Sequence, residues 1–451
     1  MAKPSRQLHI NVNVQGAGAH PAAWRSPEGR PHAVIDVAHF QEVARISERG
    51  LLDAVFLADM LALPVDPRLA PMWSLDPIVV VAAMAVATTK IGFIVTNSTT
   101  FNKPYNLARQ ILSLDHASKG RVGWNVVTTY EDRAARNYGL PELPAHTDRY
   151  AVAEDFTEAV LKLWDSWEDE ALVADVKTGV WGDASRIHAV KHVGPHFSVE
   201  GPLQVPRSRQ GRPLLVQAGS SPQGREFAAR RAEAVFTVQQ SLADAQAYYA
   251  DVKARTETHG RDPDTISILP GISLVIGGTE AEAIARKNEL DEIAGTTLTL
   301  QRFAVRLGLQ PDDLQLDQPF PERFLEKVKS GNGSQGFADA NLTLLRDRSL
   351  TVRQIIARGG GGHFRVVGSP EQIADVIESW FVGRAADGFN IMSDIYPSGL
   401  EAFVDHVVPV LQRRGLFRRE YAGDTLRDHY GVERPENIFA RQNAERLAQA
   451  V

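Results

Sequence analysis

Short apolar runs that stop abruptly in small polar residues, each followed by a helical repeat, recur along the chain. They are LHINVNVQ (8–15), AVFLAD (54–59), IGFIVTNS (91–98), VGWNVVTT (122–129) and LLVQAGSS (214–221), then AVFTVQ (234–239), ISILPGISLVIGG (266–278) and FNIMSD (389–394). Such runs suit strands buried on both faces of a parallel sheet. Between them apolar positions recur every three or four residues. Tyr150, Ala153, Phe156, Val160, Leu163, Trp164 and Trp167 make one stripe; Leu400, Phe403, Val404, Val407, Val408 and Leu411 make another, stopped at Gly415. Helix starts are marked by a capping side chain before a proline at Asp76-Pro77, Ser221-Pro222 and Ser369-Pro370, and by the box pairs Ser369/Gln372 and Thr279/Glu282. Eight strands alternating with helices predict an α/β protein built as a (β/α)8 TIM barrel, whose strand C-termini form the site. Asp59, Thr96, Thr128, Thr129, Ser220 and Ser221 are therefore expected around one mouth.

Two stretches break the rhythm. Residues 169–212 are rich in Gly, Pro and His and are expected to wrap the rim. Residues 280–365 read as helix and loop, with GNGSQG (331–336) and the glycine run 359–362, and are expected to form a lid over the mouth. The 451 residues then form one domain with two insertions and a C-terminal tail from about 416. The absence of cysteine excludes disulfides, thiolate metal sites and cysteine nucleophiles, so redox chemistry would need a bound organic cofactor. A formal charge of −6 offers no footprint for nucleic acid. The start lacks a secretory apolar core, and the longest apolar stretch, 78–87, is too short to span a bilayer, so a cytoplasmic protein without a membrane partner is expected.

The strongest local signal is AGSSP (218–222), where a strand ends in Gly219-Ser220-Ser221 and Pro222 opens a helix. Free backbone N–H groups, two hydroxyls and the positive helix end suit a phosphate, or simply cap the helix. A helix terminus adds only about 0.3–1 kcal/mol and each charge-assisted hydrogen bond about 1.5–3, against roughly 8 for micromolar binding, so such a ligand must also bury a ring or chain. Asp59 either accepts from a ring N–H or hydroxyl or caps the next loop. Thr96, Asn97, Asn125, Thr128 and Thr129 are neutral, which favours a polyhydroxylated or heteroaromatic ligand over a metal. GAGAHP (16–21) has Pro21 where a dinucleotide fingerprint needs its third glycine, and Gly194-Pro195 breaks any helix that could align His188, His192 and His196 on a metal. AGSSP lacks the last glycine of a nucleophile elbow.

Taken in order, HPAAWR (20–25), LDAVFLAD (52–59), DPIVVVAAMA (76–85), the stretch 101–129, ARNYGL (135–140), HTDRY (146–150), the stretch 201–230, ADGFNIM (386–392) and VVPVLQRRGLFRREY (407–421) resemble the bacterial luciferase-like flavin monooxygenases, the family of nitrilotriacetate, dibenzothiophene-sulfone and long-chain alkane monooxygenases. The resemblance implies a barrel that takes reduced FMN from a separate NAD(P)H:flavin reductase, uses dioxygen as co-substrate through a flavin hydroperoxide, and works as a homodimer or homotetramer. Carried over by residue, Asp59 and Thr96 would contact the isoalloxazine region, His146 and Tyr150 the phosphate and ribityl side, and Ser220 and Ser221 the phosphate. His20, Trp24 and Phe56 would face substrate. His20 would donate to or position the peroxide, and Thr129, where the family often has serine, would keep a hydroxyl beside it. Tyr138 stands where the family often has phenylalanine.

Other readings stay open on the residues alone: a deazaflavin-dependent dehydrogenase on the same barrel, a non-catalytic flavin-binding protein, and a sugar-phosphate barrel enzyme. The last needs a lysine or paired carboxylates at strand ends, where only Asp59 and Asp394 are read as acidic. Neutral and apolar mouth residues point to an uncharged, organosulfur or hydrocarbon-like small-molecule substrate.

Overall fold

The computed structural model describes residues 6–63, 75–330, 335–360 and 362–449; positions 331–334 of GNGSQG and Gly361 of the glycine run lie outside them. Eight parallel strands close a barrel: β1 (His9–Asn13), β2 (Ala54–Leu57), β3 (Gly92–Ser98), β4 (Val122–Val127), β5 (Leu214–Gln217), β6 (Ala234–Thr237), β7 (Ser267–Ile276) and β8 (Gly388–Ser393). Each pairs with the next, and β8 pairs with β1 through His9↔Gly388 to Val12↔Ile391. All eight begin within a residue of the predicted runs, most of which extend past the strand ends, by four residues in the case of 214–221. The helices between them begin where the caps predict. Asp76 accepts from Ile78 N and Val79 N, and Ser221, Thr279 and Ser369 cap their helices, the last two as complete capping boxes.

Alternate residues of each strand face opposite ways, and both faces are filled. Phe93, Val95, Trp124 and Val126 pack outward against the helices, whereas Ala54, Phe56, Ile94, Leu214, Val216 and Leu269 fill the barrel interior. The bottom is closed by the C-terminal segment, which sequence alone reads as a tail. Leu426 and Tyr430 enter the interior cluster, the Tyr430 hydroxyl bonds Asn11, and its ring stacks on His9 at 4.9 Å.

The region 280–365 is not one uniform insertion. Helix Glu280–Ala294 buries Ala283 and Leu290, and residues from Phe303 to Ile355 build a separate helical cluster around Phe303, Phe320, Leu345 and Val352. A ninth strand, Phe364–Gly368, then pairs with the upper half of β7, from Ile272↔Phe364 to Ile276↔Gly368. The sequence reading has no strand there. It forms because the upper half of β7 rises past its β6 partner, whose pairing ends at Thr237↔Pro270, and so presents a free edge.

The region 169–212 carries two short antiparallel hairpins and lies on the outside of the barrel. Asp155 of helix His146–Trp164 holds it through His192 Nε2 at 2.8 Å and the backbone N–H groups of His196 and Phe197. His188 bonds Glu168 and stacks on Phe439, so the three histidines serve three different contacts. Among the described residues no group of three His, Asp or Glu could hold a metal, and no helix is long and apolar enough to cross a membrane.

Candidate active site

The turn that the sequence offers to a phosphate follows the end of β5. Ser221 caps helix Pro222–Arg231, its Oγ accepting from Gly224 N at 3.1 Å. Ser220 shares a 3.2 Å hydroxyl contact with Thr237, and Arg225 Nε donates to the Ser220 carbonyl at 2.9 Å, holding the turn. The Tyr150 hydroxyl points into the turn, within reach of Ser221, Gln217 and Thr128. A Cβ on Gly219 or Gly224 would fall 2.6 or 2.8 Å from that hydroxyl, so only glycine lets the tyrosine meet the helix start. His146 packs one turn earlier, its ring 5.0 Å from that of Tyr150. Arg149 completes the corner, and sequence reasoning passed over it. It is buried, makes one bond to the Pro144 carbonyl at 3.1 Å, and leaves its Nε without a partner. The available signal was its place inside HTDRY, directly before the tyrosine.

The floor is aromatic. Phe56, 1% exposed, meets Phe236 edge to face at 5.2 Å, and His363 stacks on Phe236 at 5.1 Å. Above it Thr96 Oγ1 accepts from Asn125 Nδ2 at 2.9 Å, leaving Asn125 Oδ1 buried without a partner. Thr129 donates to Ser98 Oγ at 2.7 Å and sits at φ 54°, a strained conformation for a β-branched residue; its hydroxyl is thus committed to β3.

Asp59 is half-buried at the end of β2, where burial and the charge of Asp76 push its carboxyl up to about 6. A second acid stands nearby. Glu131, just past β4, is pushed up to about 7 by burial, to which the charge of Asp59 adds, and its Oε1 has no partner. This corrects the reading of Asp59 and Asp394 as the only acids at the strand ends. Because the folded protein holds the Glu131 proton more tightly than the unfolded chain, this carboxyl costs stability as pH rises from 4.5 through about 7. At pH 8 Glu131→Gln is therefore expected to raise the unfolding free energy by about 1–3 kcal/mol, with a much smaller gain at pH 5, measured by urea denaturation. Equal gains at both pH values would assign the effect to something other than this proton.

Across the mouth, the loop after β1 carries His20. Its Nδ1 accepts from Ala22 N at 3.2 Å, which places the proton on Nε2, 3.1 Å from Asp291 Oδ1. Burial lowers the His20 pKa despite that bond, so the ring is neutral and both nitrogens are engaged. Burial opposes ionisation of Asp291, but His20 and Lys287 outweigh it and hold the carboxyl at about 2. Trp24 packs against the cluster of Leu290 and Ile395, and its Nε1 has no acceptor. Asp394 binds Arg286 at 2.5 Å and the Ile395 N–H at 2.8 Å, whereas Asp59 and Glu131 have no cation beside them among the described residues.

The corner around Ser221 fits the phosphate of FMN: a capped helix start, a glycine-lined approach and a buried guanidinium with an unused donor. Thr96, Asn125 and Asp59 over aromatic side chains fit a flat polar ring. The luciferase-like monooxygenase family matches residues 16–387. Nitrilotriacetate monooxygenase component A of Aminobacter aminovorans is 42% identical over 97% of this chain and 99% of its own length. Among solved structures, long-chain alkane monooxygenase superposes with a TM-score of 0.82 at 30% identity, covering 97% of this chain and 99% of that one. Riboflavin lyase with modified FMN and riboflavin superposes at 0.83 and 33% identity, covering 95% and 97%. The chain therefore belongs to the luciferase-like monooxygenases, flavin-dependent oxidoreductases that incorporate oxygen, built here on an α/β TIM barrel.

Proposed function

We propose that the protein is the oxygenase of a two-component system, receiving reduced FMN from a separate NAD(P)H:flavin reductase and oxygenating a small organic molecule with dioxygen in the cytoplasm, as a homodimer or homotetramer. The observation that carries this reading is the helix start at Ser221, where the Tyr150 hydroxyl reaches the turn and the Arg149 guanidinium lies near enough for its charge to act on that tyrosine. Ser220, Ser221, Arg149, Tyr150 and His146 would hold the phosphate and ribityl side, and Asp59 and Thr96 the ring. Reduced FMN, when bound, supplies with dioxygen the oxygenating equivalent. The chain's own part is orientation and exclusion of water. Phe56 and Phe236 give the mouth an apolar floor. Trp24 and His20 stand on the far rim, where His20, its Nε2 proton held by Asp291, would shape the substrate side of the mouth, and Thr129 shapes the turn after β4. The helical cluster from Phe303 to Ile355 has a core of its own and would act as the cover over this mouth.

Anaerobic titration tests the reading. Reduced FMN should bind far more tightly than NADPH, and Ser220→Ala/Ser221→Ala should weaken it about 10- to 100-fold through lost charge-assisted bonds. Rapid mixing with oxygenated buffer should then give a transient near-ultraviolet absorbance. NADPH binding as tight as that of reduced FMN would refute the two-component reading, and tight FMN binding without oxygen reactivity would favour a dehydrogenase or a binding protein on this barrel.

A further inference from the structure

Arg365 lies on the strand Phe364–Gly368, opposite Ser273 of β7. Its neighbours face the helices: Phe364 stacks on Trp380 at 5.2 Å, and Val366 joins the core that includes Ile373 and Ile377. Strand alternation turns Arg365 the other way, to the side of Asp291 and His20, both of which feel its charge. Burial lowers its pKa and Asp291 opposes that shift, yet a guanidinium stays charged throughout the working pH range.

What sets Arg365 apart is its lack of partners. The buried Arg121 donates to the carbonyls of Ser118, Ile91 and Ala85, and the buried Arg427 pairs with Glu233 at 2.9 Å. Among the described residues the Arg365 side chain makes no hydrogen bond and no ion pair. Asp291, the nearest acid in its field, is already bound by His20 and by Lys287 at 2.5 Å. The indole N–H of Trp24, in the cluster beside Leu290, is another donor on this rim without an acceptor. Arg365 is only partly exposed and its side chain has no protein acceptor, and it stands on the face of the barrel where ligands bind.

We infer that Arg365 is the anchor for a carboxylate of the substrate, which makes the substrate a small organic acid rather than the uncharged compound that the neutral mouth residues suggest. The planar guanidinium fork matches two carboxylate oxygens. The inference rests on the proposed flavin site, and the two do not compete for space: the phosphate corner follows β5, four strands around the barrel from β1, whereas Arg365 stands beyond β7 beside the His20 loop.

The test is calorimetric titration of tricarballylate and of its trimethyl ester into the full chain, with and without oxidised FMN, alongside FMN titration. The native protein should bind the acid and not the ester. Arg365→Gln should weaken the acid at least about 10-fold and Arg365→Lys by less, with the FMN Kd unchanged in both. Arg365→Met should leave the thermal midpoint of the ligand-free protein unchanged or raise it, since no native bond is lost. Equal binding of acid and ester, an acid affinity indifferent to Arg365, a lowered midpoint in Arg365→Met, or an FMN Kd that follows Arg365 would each overturn the inference. Binding of the acid through Arg365 without any FMN binding would instead overturn the flavin reading alone.

Discussion

Replacing Arg418 with methionine is expected to lower the unfolding free energy by about 3–5 kcal/mol at neutral pH while leaving FMN affinity intact. Asp53 is 0% exposed at the bottom of the barrel, directly before β2. Its carboxylate receives Arg418 Nη2, His9 Nδ1 at 3.1 Å and the Ile10 N–H at 2.6 Å. Burial alone would raise the Asp53 pKa, but Arg418 and His9 outweigh it and hold the carboxyl below its ordinary range. Without Arg418 the charge stays buried with only partial compensation, which costs far more than the pair itself contributes. A depressed folded pKa gives stability that is complete above the unfolded value of 3.8 and is lost as pH falls through the folded one. Urea denaturation at pH 7 reads the effect. A loss under about 1 kcal/mol would show that the pair contributes as little as a solvated surface pair. A matching loss of FMN affinity would show that the bottom of the barrel is not independent of the mouth.

The second large effect is expected at Arg149. Arg149→Ala should weaken FMN about 10- to 100-fold and leave riboflavin, which has no phosphate, unchanged, because one charge-assisted bond contributes about 1.5–3 kcal/mol. The guanidinium is buried with a single bond to a carbonyl and an unused Nε, so its removal deletes a phosphate donor and little of the fold. Fluorescence titration of both flavins measures the ratio directly. Parallel losses for FMN and riboflavin would place Arg149 away from the phosphate, and Arg149→Lys should restore part of the difference by charge alone.

The barrel is legible in the amino-acid sequence because its signals are local. Each strand is a short run buried on both faces, and each helix start is a cap within three residues, as at Asp76, Ser221, Thr279 and Ser369. Ser220 and Ser221 fall at a helix start on the evidence of AGSSP alone. Phe364–Gly368 carries no such signal, since a five-residue run containing Arg365 becomes a strand only beside the free upper edge of β7. The segment that reads as a tail supplies Tyr430 to the barrel floor, a partnership with Asn11 across more than 400 positions that no local pattern encodes.

The order of residues alone settles the alternation of strand and helix, the caps and hence the end of the barrel at which chemistry gathers, because hydrophobic period and capping act within a few residues. Only the packed fold settles which ionisable groups are shielded and unpartnered there. Glu131, Arg149 and Arg365 look like ordinary charged residues in the chain; the desolvation that shifts all three, the unused Nε of Arg149 and the lack of a side-chain partner for Arg365 come from segments far apart in sequence.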